Sequence, residues 1–211
     1  MKEKNKTGKL FIVTAPSGAG KTSLVKALVE LCPQIKISTS HTTRKPRQGE
    51  REGVDYYFVN NDTFEILKNN GEFLENAECH GAKYGTAMTP VEENLSAGKD
   101  IILEIDYQGA LKVKKVFSDA ISLFIVPPSM AVLKERLEGR GQNSNAEIKG
   151  RMAAAKEEIS HLEKFDYVII NNKFDQALCD LKSVFIDSPE SINLETTRQK
   201  KFFQSLINSI K

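Results

Sequence analysis

The sequence predicts an α/β fold built on a doubly wound parallel sheet. Apolar runs suited to buried strands alternate along the chain with segments in which apolar residues recur at helical spacing. A glycine-rich turn lies between the first of these runs and the first helix. Such alternation produces right-handed crossovers, and it places ligand sites beyond the carboxyl ends of the strands.

The first strand and the first helix flank the glycine-rich turn. Residues 10–13 are apolar, and leucines recur at helical spacing in residues 23–31. The turn between them comprises Ala15, Pro16, Ser17, Gly18, Ala19, Gly20, Lys21 and Thr22. It fits the phosphate-loop pattern G-x-x-x-x-G-K-[ST] except at the first position, where Ala15 replaces glycine. An ordinary turn with these letters is the alternative, but strand, turn and helix follow in the order that a phosphate loop requires.

A phosphate loop has a defined chemistry. Its backbone N–H groups and the N-terminus of the next helix bind phosphate oxygens, while the lysine, here Lys21, reaches the outer phosphates. The hydroxyl of Thr22 would complete the coordination of Mg²⁺, an ion that takes few protein ligands. The turn therefore predicts a polyphosphate site that works with Mg²⁺.

Residues 38–87 are predicted to form a small, mostly β lobe. A short core strand is expected just before the lobe, at residues 35–37. Within the lobe we expect strands at residues 55–59, 72–79 and 83–86. A helix with capping-box spacing from Asp62 to Glu65 should end at Gly71, and another should begin at Thr89 and Pro90.

Patterns typical of a buried core return from residue 100. Strands are predicted at residues 101–106, 121–126 and 167–170, and helices at 108–117, 130–137, 146–164, 174–186 and near 203–210. We expect one domain in three parts: a core of residues 1–37, 88–126 and 158–211, the lobe of residues 38–87, and a helical lid of residues 127–157.

The composition limits the partners and the compartment. The 211 residues carry 30 Lys+Arg against 28 Asp+Glu, a formal net charge of +2, which argues against nucleic acid as a partner. Three widely spaced cysteines predict free thiols in a reducing compartment and no zinc site. Neither a signal peptide nor a membrane-spanning run is visible, so we expect a cytoplasmic protein that contacts no membrane.

Charged residues mark further candidate positions. Glu104 and Asp106 end an apolar strand at the edge expected for ligands, where an acid can approach Mg²⁺ through water or bind a substrate group. Arg44 and Arg47 lie three residues apart in a loop, and a guanidinium group can hold phosphate through two hydrogen bonds. Solvated side chains are the alternative for both pairs.

Three more arginines lie on the helices of the predicted lid. Arg136 and Arg140 share one helix face and repel each other unless an anion lies between them, and Arg151 is on the next helix. They could close over a transferring phosphoryl group. The sequence leaves open whether they instead form surface salt bridges with Glu135, Glu138 and Glu147.

Several motifs, taken together, resemble the guanylate kinase family. Besides the phosphate loop they are SHTTRKPRQGE (residues 40–50), GVDY (53–56), EFLE (72–75), YGT (84–86), DYQG (106–109) and RLEGRG (136–141). They occur in family order from the first strand to about residue 185, so the resemblance covers nearly the whole chain. It implies a P-loop kinase of purine nucleotide metabolism in which the small β-rich lobe binds GMP and the lid is helical.

The resemblance implies transfer of the γ-phosphoryl group of ATP to GMP with Mg²⁺, and it assigns residues to each substrate. ATP would be held by the phosphate loop, with Asn171 on the adenine side and Thr22 on the metal. The implied catalytic side chains are Lys21, Arg44, Arg136, Arg140 and Arg151. The implied GMP-binding residues are Ser40, Arg44, Arg47, Tyr56, Glu75, Tyr84, Thr86, Glu104 and Asp106.

Within that set the chemistry divides between phosphate and base. Arg44, Arg47, Tyr56 and Tyr84 would hold the GMP phosphate, while Ser40 and Thr86 would face O6 of guanine. Glu75 would accept from N1 and the exocyclic amine, with Asp106 assisting. A carboxylate there pairs with guanine and is left unpaired by adenine, which can give ~10⁴-fold rejection. Glu104 replaces the aspartate usual in the family.

Two other functions share parts of this pattern. A guanylate-kinase-like binding module would not need Lys21, Thr22 and the lid arginines, all of which are present. A P-loop kinase for another phosphorylated acceptor would not need Ser40, Glu75 and Thr86 together. The sequence leaves open whether the chain forms a homodimer.

Overall fold

The computed structural model describes residues 7–79, 81–139 and 144–186, together with residue 206. In these residues the strands are β1 Leu10–Thr14, β2 Ile35–Ile37, β3 His41–Thr42, β4 Tyr57–Phe58, β5 Phe73–Cys79, β6 Ala82–Ala87, β7 Asp100–Glu104, β8 Ile121–Val126 and β9 Tyr167–Ile170. The helices are α1 Lys21–Leu31, α2 Asn61–Asn69, α3 Met88–Ser96, α4 Tyr107–Val116, α5 Met130–Glu138, α6 Asn145–Ser160 and α7 Phe174–Ile186.

Two sheets organise these elements. A five-stranded sheet has the order β2-β7-β1-β8-β9, and the pairs β2 with β7 and β8 with β9 are parallel. A four-stranded sheet has the order β4-β3-β6-β5. The predicted α/β class with a parallel sheet is confirmed.

Contacts divide the chain into two compact units. The first unit consists of the residues up to Ile12 and of Pro33–Ile121, and the second of Val13–Cys32 and the residues from Ser122 onward. The three-part division into core, lobe and lid stays a prediction.

In the first unit the small sheet is built on the β5–β6 hairpin. Glu75 lies opposite Thr86, and β6 pairs on its other edge with β3, where His41 lies opposite Gly85. A Cβ atom added at Gly85 would lie 2.9 Å from the ring of Phe73, so the absence of a side chain lets that ring lie against the strand. This hairpin presents one face on which Glu75 and Thr86 meet.

Strand β8 is apolar apart from Ser122 and is buried on both faces from Ser122 to Val126, as a central parallel strand requires. Ser129 caps α5 by accepting from the backbone N–H of Val132. Ser144 and Glu147 form a capping box at the start of α6, so a second local signal fixes where that helix begins.

Several predicted element boundaries were wrong. The cap of α2 is Asn60 and not Asp62, because the Asn60 side chain accepts from the backbone N–H of Thr63. Helix α3 begins one residue before Thr89, after Ala87, without a side-chain cap. Helix α6 ends at Ser160, and a 3₁₀ turn follows at Leu162–Lys164.

The strand predicted at residues 55–59 is only Tyr57–Phe58, and the short strand β3 was not predicted between residues 38 and 54. Of the helix predicted near residues 203–210 the structure describes only Leu206, which is helical and buried, and Arg140 lies outside the described residues. None of the helices in the described part of the chain is long and apolar enough to span a membrane.

Candidate functional site

The glycine-rich loop in the second unit has the backbone of a phosphate cradle. Gly18 and Gly20 have φ values of 94° and 96°, in the left-handed region that side chains disfavour. The N–H of Ala19 donates to the carbonyl of Pro16 at 3.0 Å, which closes a tight turn, and the N–H of Leu24 donates to Gly20 at 3.1 Å as α1 begins. Both glycines are therefore required by the conformation of the loop.

Neighbouring side chains also leave little room for a side chain at these glycines. A Cβ atom at Gly18 would lie 3.0 Å from Leu137 and 3.1 Å from Leu133 of α5. One at Gly20 would lie 2.4 Å from Nδ2 of Asn171. The loop therefore packs closely against α5 and Asn171.

Lys21 and Thr22 form the first turn of α1. Lys21 is half-buried and Thr22 is exposed, and no acidic residue occupies that turn. The positive end of the helix is therefore not neutralised by a carboxylate of its own first turn, and it favours an anion beside the loop.

Two of the predicted lid arginines lie beside this loop. Nη1 of Arg151 is 2.9 Å from Oγ of Ser17, and Nη2 of Arg136 donates to the backbone carbonyl of Asn171 at 2.9 Å. The Asn171 side chain donates to the carbonyl of Ala19 at 2.7 Å. Of the residues predicted for ATP and its lid, the structure brings these together, while Arg140 is outside the described residues.

Two of the three suggested salt-bridge partners have other contacts. Glu138 lies 3.7 Å from Lys134, and Glu147 accepts from Ser144 in the capping box. The Ser144 hydrogen bonds lower the pKa of Glu147, and the Arg151 charge adds a smaller effect.

A buried polar cluster lies in the first unit. The hydroxyl of Thr86 donates to Oε1 of Glu75 at 2.7 Å and lies 3.1 Å from the hydroxyl of Ser40. Ser40, Glu75 and Thr86 are only 8%, 5% and 0% exposed. The three residues predicted to face guanine therefore form one chain of hydrogen bonds.

Burial raises the pKa of Glu75 to about 7. The hydrogen bond from Thr86 lowers that pKa, and the negative charge of Asp106 raises it. Asp106 caps α4 by accepting from the N–H of Gly109 at 2.7 Å. A Cβ atom at Gly109 would lie 2.7 Å from Oε2 of Glu75 and 3.2 Å from Oδ1 of Asp106. Gly109 therefore leaves the room in which both carboxylates fit.

A second cluster in the first unit surrounds Arg44. Glu50 accepts from Nη1 and Nη2 of Arg44, each at 2.9 Å, and also from the backbone N–H of Arg47 at 2.7 Å. The guanidinium carbon lies 5.3 Å from the centre of the Tyr56 ring, and the Tyr56 and Tyr84 rings are 5.9 Å apart. The Glu50 carboxylate raises the pKa of Arg44, and that guanidinium lowers the pKa of Glu50.

Glu50 does not occupy every edge of the Arg44 guanidinium group. Its Nε is buried and has no hydrogen-bond partner among the described residues. Glu50 takes the edge formed by Nη1 and Nη2, so Nε lies on the edge that Glu50 leaves unused, and a hydrogen bond with Tyr84 further raises the pKa of Arg44.

The remaining predicted residues have simpler surroundings. The Arg47 side chain is exposed, and Glu104 is half-buried at the end of β7. Burial raises the pKa of Tyr56 to about 12, with the charge of Glu104 as the next cause. Burial also lowers the pKa of His41, whose ring lies 4.8 Å from that of Tyr57, so His41 is neutral at neutral pH.

These features define a class before any comparison. A buried strand, a loop with two left-handed glycines and a helix that begins Lys-Thr define a P-loop nucleotide-binding protein. The second unit holds this loop, and the first unit holds a buried carboxylate and an arginine with an unused edge.

Comparison with known proteins gives the family. The guanylate kinase family profile matches residues 7–188. A guanylate kinase of Methylobacillus flagellatus is 50% identical over 203 residues, covering 96% of this chain and 98% of that protein. One from Thiobacillus denitrificans is 50% identical over 204 residues, covering 97% of this chain and 96% of that protein.

A solved structure agrees. The crystal structure of guanylate kinase from Anaplasma phagocytophilum superposes with a TM-score of 0.72 at 34% identity, covering 85% of each chain. The chain therefore belongs to the guanylate kinase family, and by that membership it is an enzyme of the nucleoside monophosphate kinase class.

Sequence reasoning gave no role to two residues that shape these clusters. Glu50 is the last residue of the motif SHTTRKPRQGE. Its position three residues after Arg47 could have indicated that it contacts the arginine loop. Gly109 could be recognised only as a glycine inside a helix, which usually indicates a packing constraint.

Proposed function

We propose that this chain transfers the γ-phosphoryl group of ATP to GMP, giving ADP and GDP, and that the phosphate loop and the two clusters of the first unit bind these two nucleotides. ATP binds at the phosphate loop of the second unit. GMP binds in the first unit, with its base at Glu75 and its phosphate at Arg44.

The observation that carries the acceptor assignment is the buried chain Ser40, Thr86, Glu75. Guanine offers two donors, N1–H and the exocyclic amine, beside the acceptor O6. An ionised Glu75 accepts from the two donors, and a hydroxyl of the chain donates to O6. Adenine would leave the buried carboxylate facing an acceptor, which is costly in a desolvated site.

The phosphate of GMP is proposed to bind the unused edge of Arg44. A dianionic phosphate can accept from Nε and Nη2 at once, and it would satisfy the buried Nε. Glu50 on the opposite edge holds the guanidinium plane in place. Arg47, Tyr56 and Tyr84 supply further donors around the same phosphate.

On the donor side, the backbone of residues 15–22 and Lys21 hold the ATP phosphates. Arg136 and Arg151 supply positive charge where it develops on the transferring group, and Arg140 is proposed to act with them. The reaction depends on positioning and charge neutralisation, so no general base is assigned and His41 stays a loop histidine.

The residues present fit Mg²⁺. Thr22 offers a hard hydroxyl oxygen beside the phosphates, and the described residues contain no group of three His, Cys, Asp or Glu side chains that could form an all-protein metal site. Mg²⁺ suits such a site because it takes few protein ligands and keeps waters and phosphate oxygens. When bound, it would neutralise phosphate charge.

A coupled assay of ADP formation tests the proposal. MgATP is offered with GMP, AMP, CMP and UMP in turn, and we expect turnover with GMP that is lost when Mg²⁺ is removed. A chain that binds GMP without turnover would overturn the enzymatic assignment, whereas turnover with another acceptor would refute the guanine roles. Closure of the lid arginines over the phosphoryl group and a cytoplasmic location stay predictions, and the assay does not address a homodimer.

A further inference from the structure

We propose that Asn171 is a positioning residue for the phosphate loop, fixing the direction of one backbone N–H, rather than a contact for the adenine base. This inference rests on the proposed function, because it concerns how the loop binds ATP. Asn171 follows β9 directly and is 6% exposed.

The contacts of Asn171 connect three parts of the donor site. Its side-chain Nδ2 donates to the carbonyl of Ala19 at 2.7 Å, and its backbone carbonyl accepts from Arg136 at 2.9 Å. Its backbone N–H donates to Val126 at the end of β8 at 2.8 Å. A rigid strand end thus holds both the loop and a lid arginine.

The hydrogen bond to Ala19 has a consequence for the next residue. The peptide between Ala19 and Gly20 is trans and planar, so its C=O and N–H point in opposite directions. Because Asn171 holds the C=O, the N–H of Gly20 points away from Asn171. In a phosphate loop that is the direction needed by an N–H that binds an outer phosphate oxygen.

The conformation of Gly20 makes this hold necessary. At φ 96°, Gly20 is in a region that glycine adopts about as readily as φ < 0, so its own conformational preference does not fix the peptide direction. The close approach of Nδ2, 2.4 Å from where a Cβ would be, restricts that freedom. Loss of the amide would let the peptide rotate and turn a donor away from the phosphates.

The test separates a role toward phosphate from a role toward the base. Binding of ATP and of inorganic tripolyphosphate, each with Mg²⁺, is measured by calorimetry for the wild type, Asn171→Ala and Asn171→Asp. Asn172→Ala, at the adjacent exposed position, is the matched control. Asn171→Asp keeps the size of the side chain but cannot donate when ionised, so it covers the case in which the alanine variant does not fold.

We expect both Asn171 variants to weaken ATP and tripolyphosphate by the same factor, roughly 10- to 100-fold, which is the range for losing a hydrogen bond to a charged group. In steady-state assays, KM for ATP should rise while KM for GMP stays unchanged. Asn172→Ala should leave both ligands unaffected.

Four results would overturn the inference. Weaker ATP binding with unchanged tripolyphosphate binding would assign Asn171 to the base, and unchanged binding of both would remove any role. A wild type that binds ATP but not tripolyphosphate would show that the loop depends on the base. A wild type that binds neither would refute the donor site itself, and the proposed function with it.

Discussion

The donor site and the acceptor site are built from different parts of the polypeptide. The donor site is a continuous loop, residues 15–22, whose main features are two left-handed glycines and backbone N–H groups. The acceptor site consists of side chains brought from β5, β6, the segment before β3 and the start of α4. The donor site consists of consecutive residues, whereas the residues of the acceptor site come together only when the small sheet forms.

This difference predicts how each site responds to substitution. A backbone site depends on φ values and on the few side chains that direct it, such as Lys21 and Asn171. A side-chain site depends on buried charge and on hydrogen-bond partners, such as Glu75 and Glu50. Changes in the donor site should affect any nucleotide triphosphate, whereas changes in the acceptor site should affect GMP selectively.

The largest effect is expected for Lys21→Ala. Removing the cation from the phosphate loop should lower kcat by roughly 10²- to 10³-fold, as for the loss of a preorganised donor to a transition state. The midpoint of thermal unfolding should change little, since Lys21 is only half-buried. Lys182→Ala, exposed on α7, is the control, and a kcat near wild type in Lys21→Ala would contradict the donor-site assignment.

Glu50→Gln should affect only the acceptor. It removes the charge that holds Arg44 by two hydrogen bonds of 2.9 Å, so the guanidinium loses its fixed plane. We expect KM for GMP to rise roughly tenfold, with KM for ATP unchanged. A fall in KM for GMP would mean that Glu50 repels the phosphate more than it orients Arg44. Glu93→Gln, an exposed glutamate on α3, controls for the loss of one negative charge.

The same contrast explains what the sequence could predict. The phosphate loop could be located because its spacing, glycines and flanking elements are local, and the buried strands could be located from continuous apolar runs. The role of Glu50 was missed because its ion pair with Arg44 depends on how residues 44–50 turn. Strand β3 was missed because two residues in a polar stretch carry no periodicity, and only pairing with β6 makes them a strand.

The predicted starts of α2 and α3 were wrong for a related reason. Thr89 and Pro90 fitted a helix start by composition, yet α3 begins at Met88 directly after β6, without a side-chain cap. Asn60 and Asp62 are both good capping residues, and the backbone conformation at Asn60 decided between them. Where two neighbouring residues can each begin a helix, only the tertiary structure determines which of them does.

Glu75 gives the acceptor site a pH dependence that the donor site should lack. Its pKa is raised to about 7, so raising the pH from 6 to 8 ionises it and should strengthen GMP binding about tenfold. Guanosine, which has no titrating phosphate, should show the same trend, and Glu75→Gln should weaken GMP and abolish the trend. A flat guanosine profile in the wild type would refute the carboxylate's role.

The same group should also affect the stability of the protein without nucleotide. The pKa of Glu75 is higher in the folded state than the ordinary value of 4.5, so the folded state binds more protons in this range. Stability should therefore fall as the pH rises from about 4.5 to about 7, and the part of this fall due to Glu75 should be absent in Glu75→Gln. Urea unfolding at several pH values measures the difference between the two proteins.

The smallest effect comes from a matched pair of helix glycines. Gly150 lies in α6 with nothing within 4 Å of an added Cβ, so Gly150→Ala should stabilise the protein by about 0.5–1 kcal/mol through helix propensity alone. Gly109→Ala gains the same propensity, but its Cβ would meet Oε2 of Glu75 at 2.7 Å. We expect a smaller gain or a loss in the free energy of unfolding there, with a several-fold rise in KM for GMP. Equal stabilisation by both substitutions, with GMP binding unchanged, would show that Glu75 can move freely, and the acceptor site would then be less preorganised than its buried hydrogen bonds indicate.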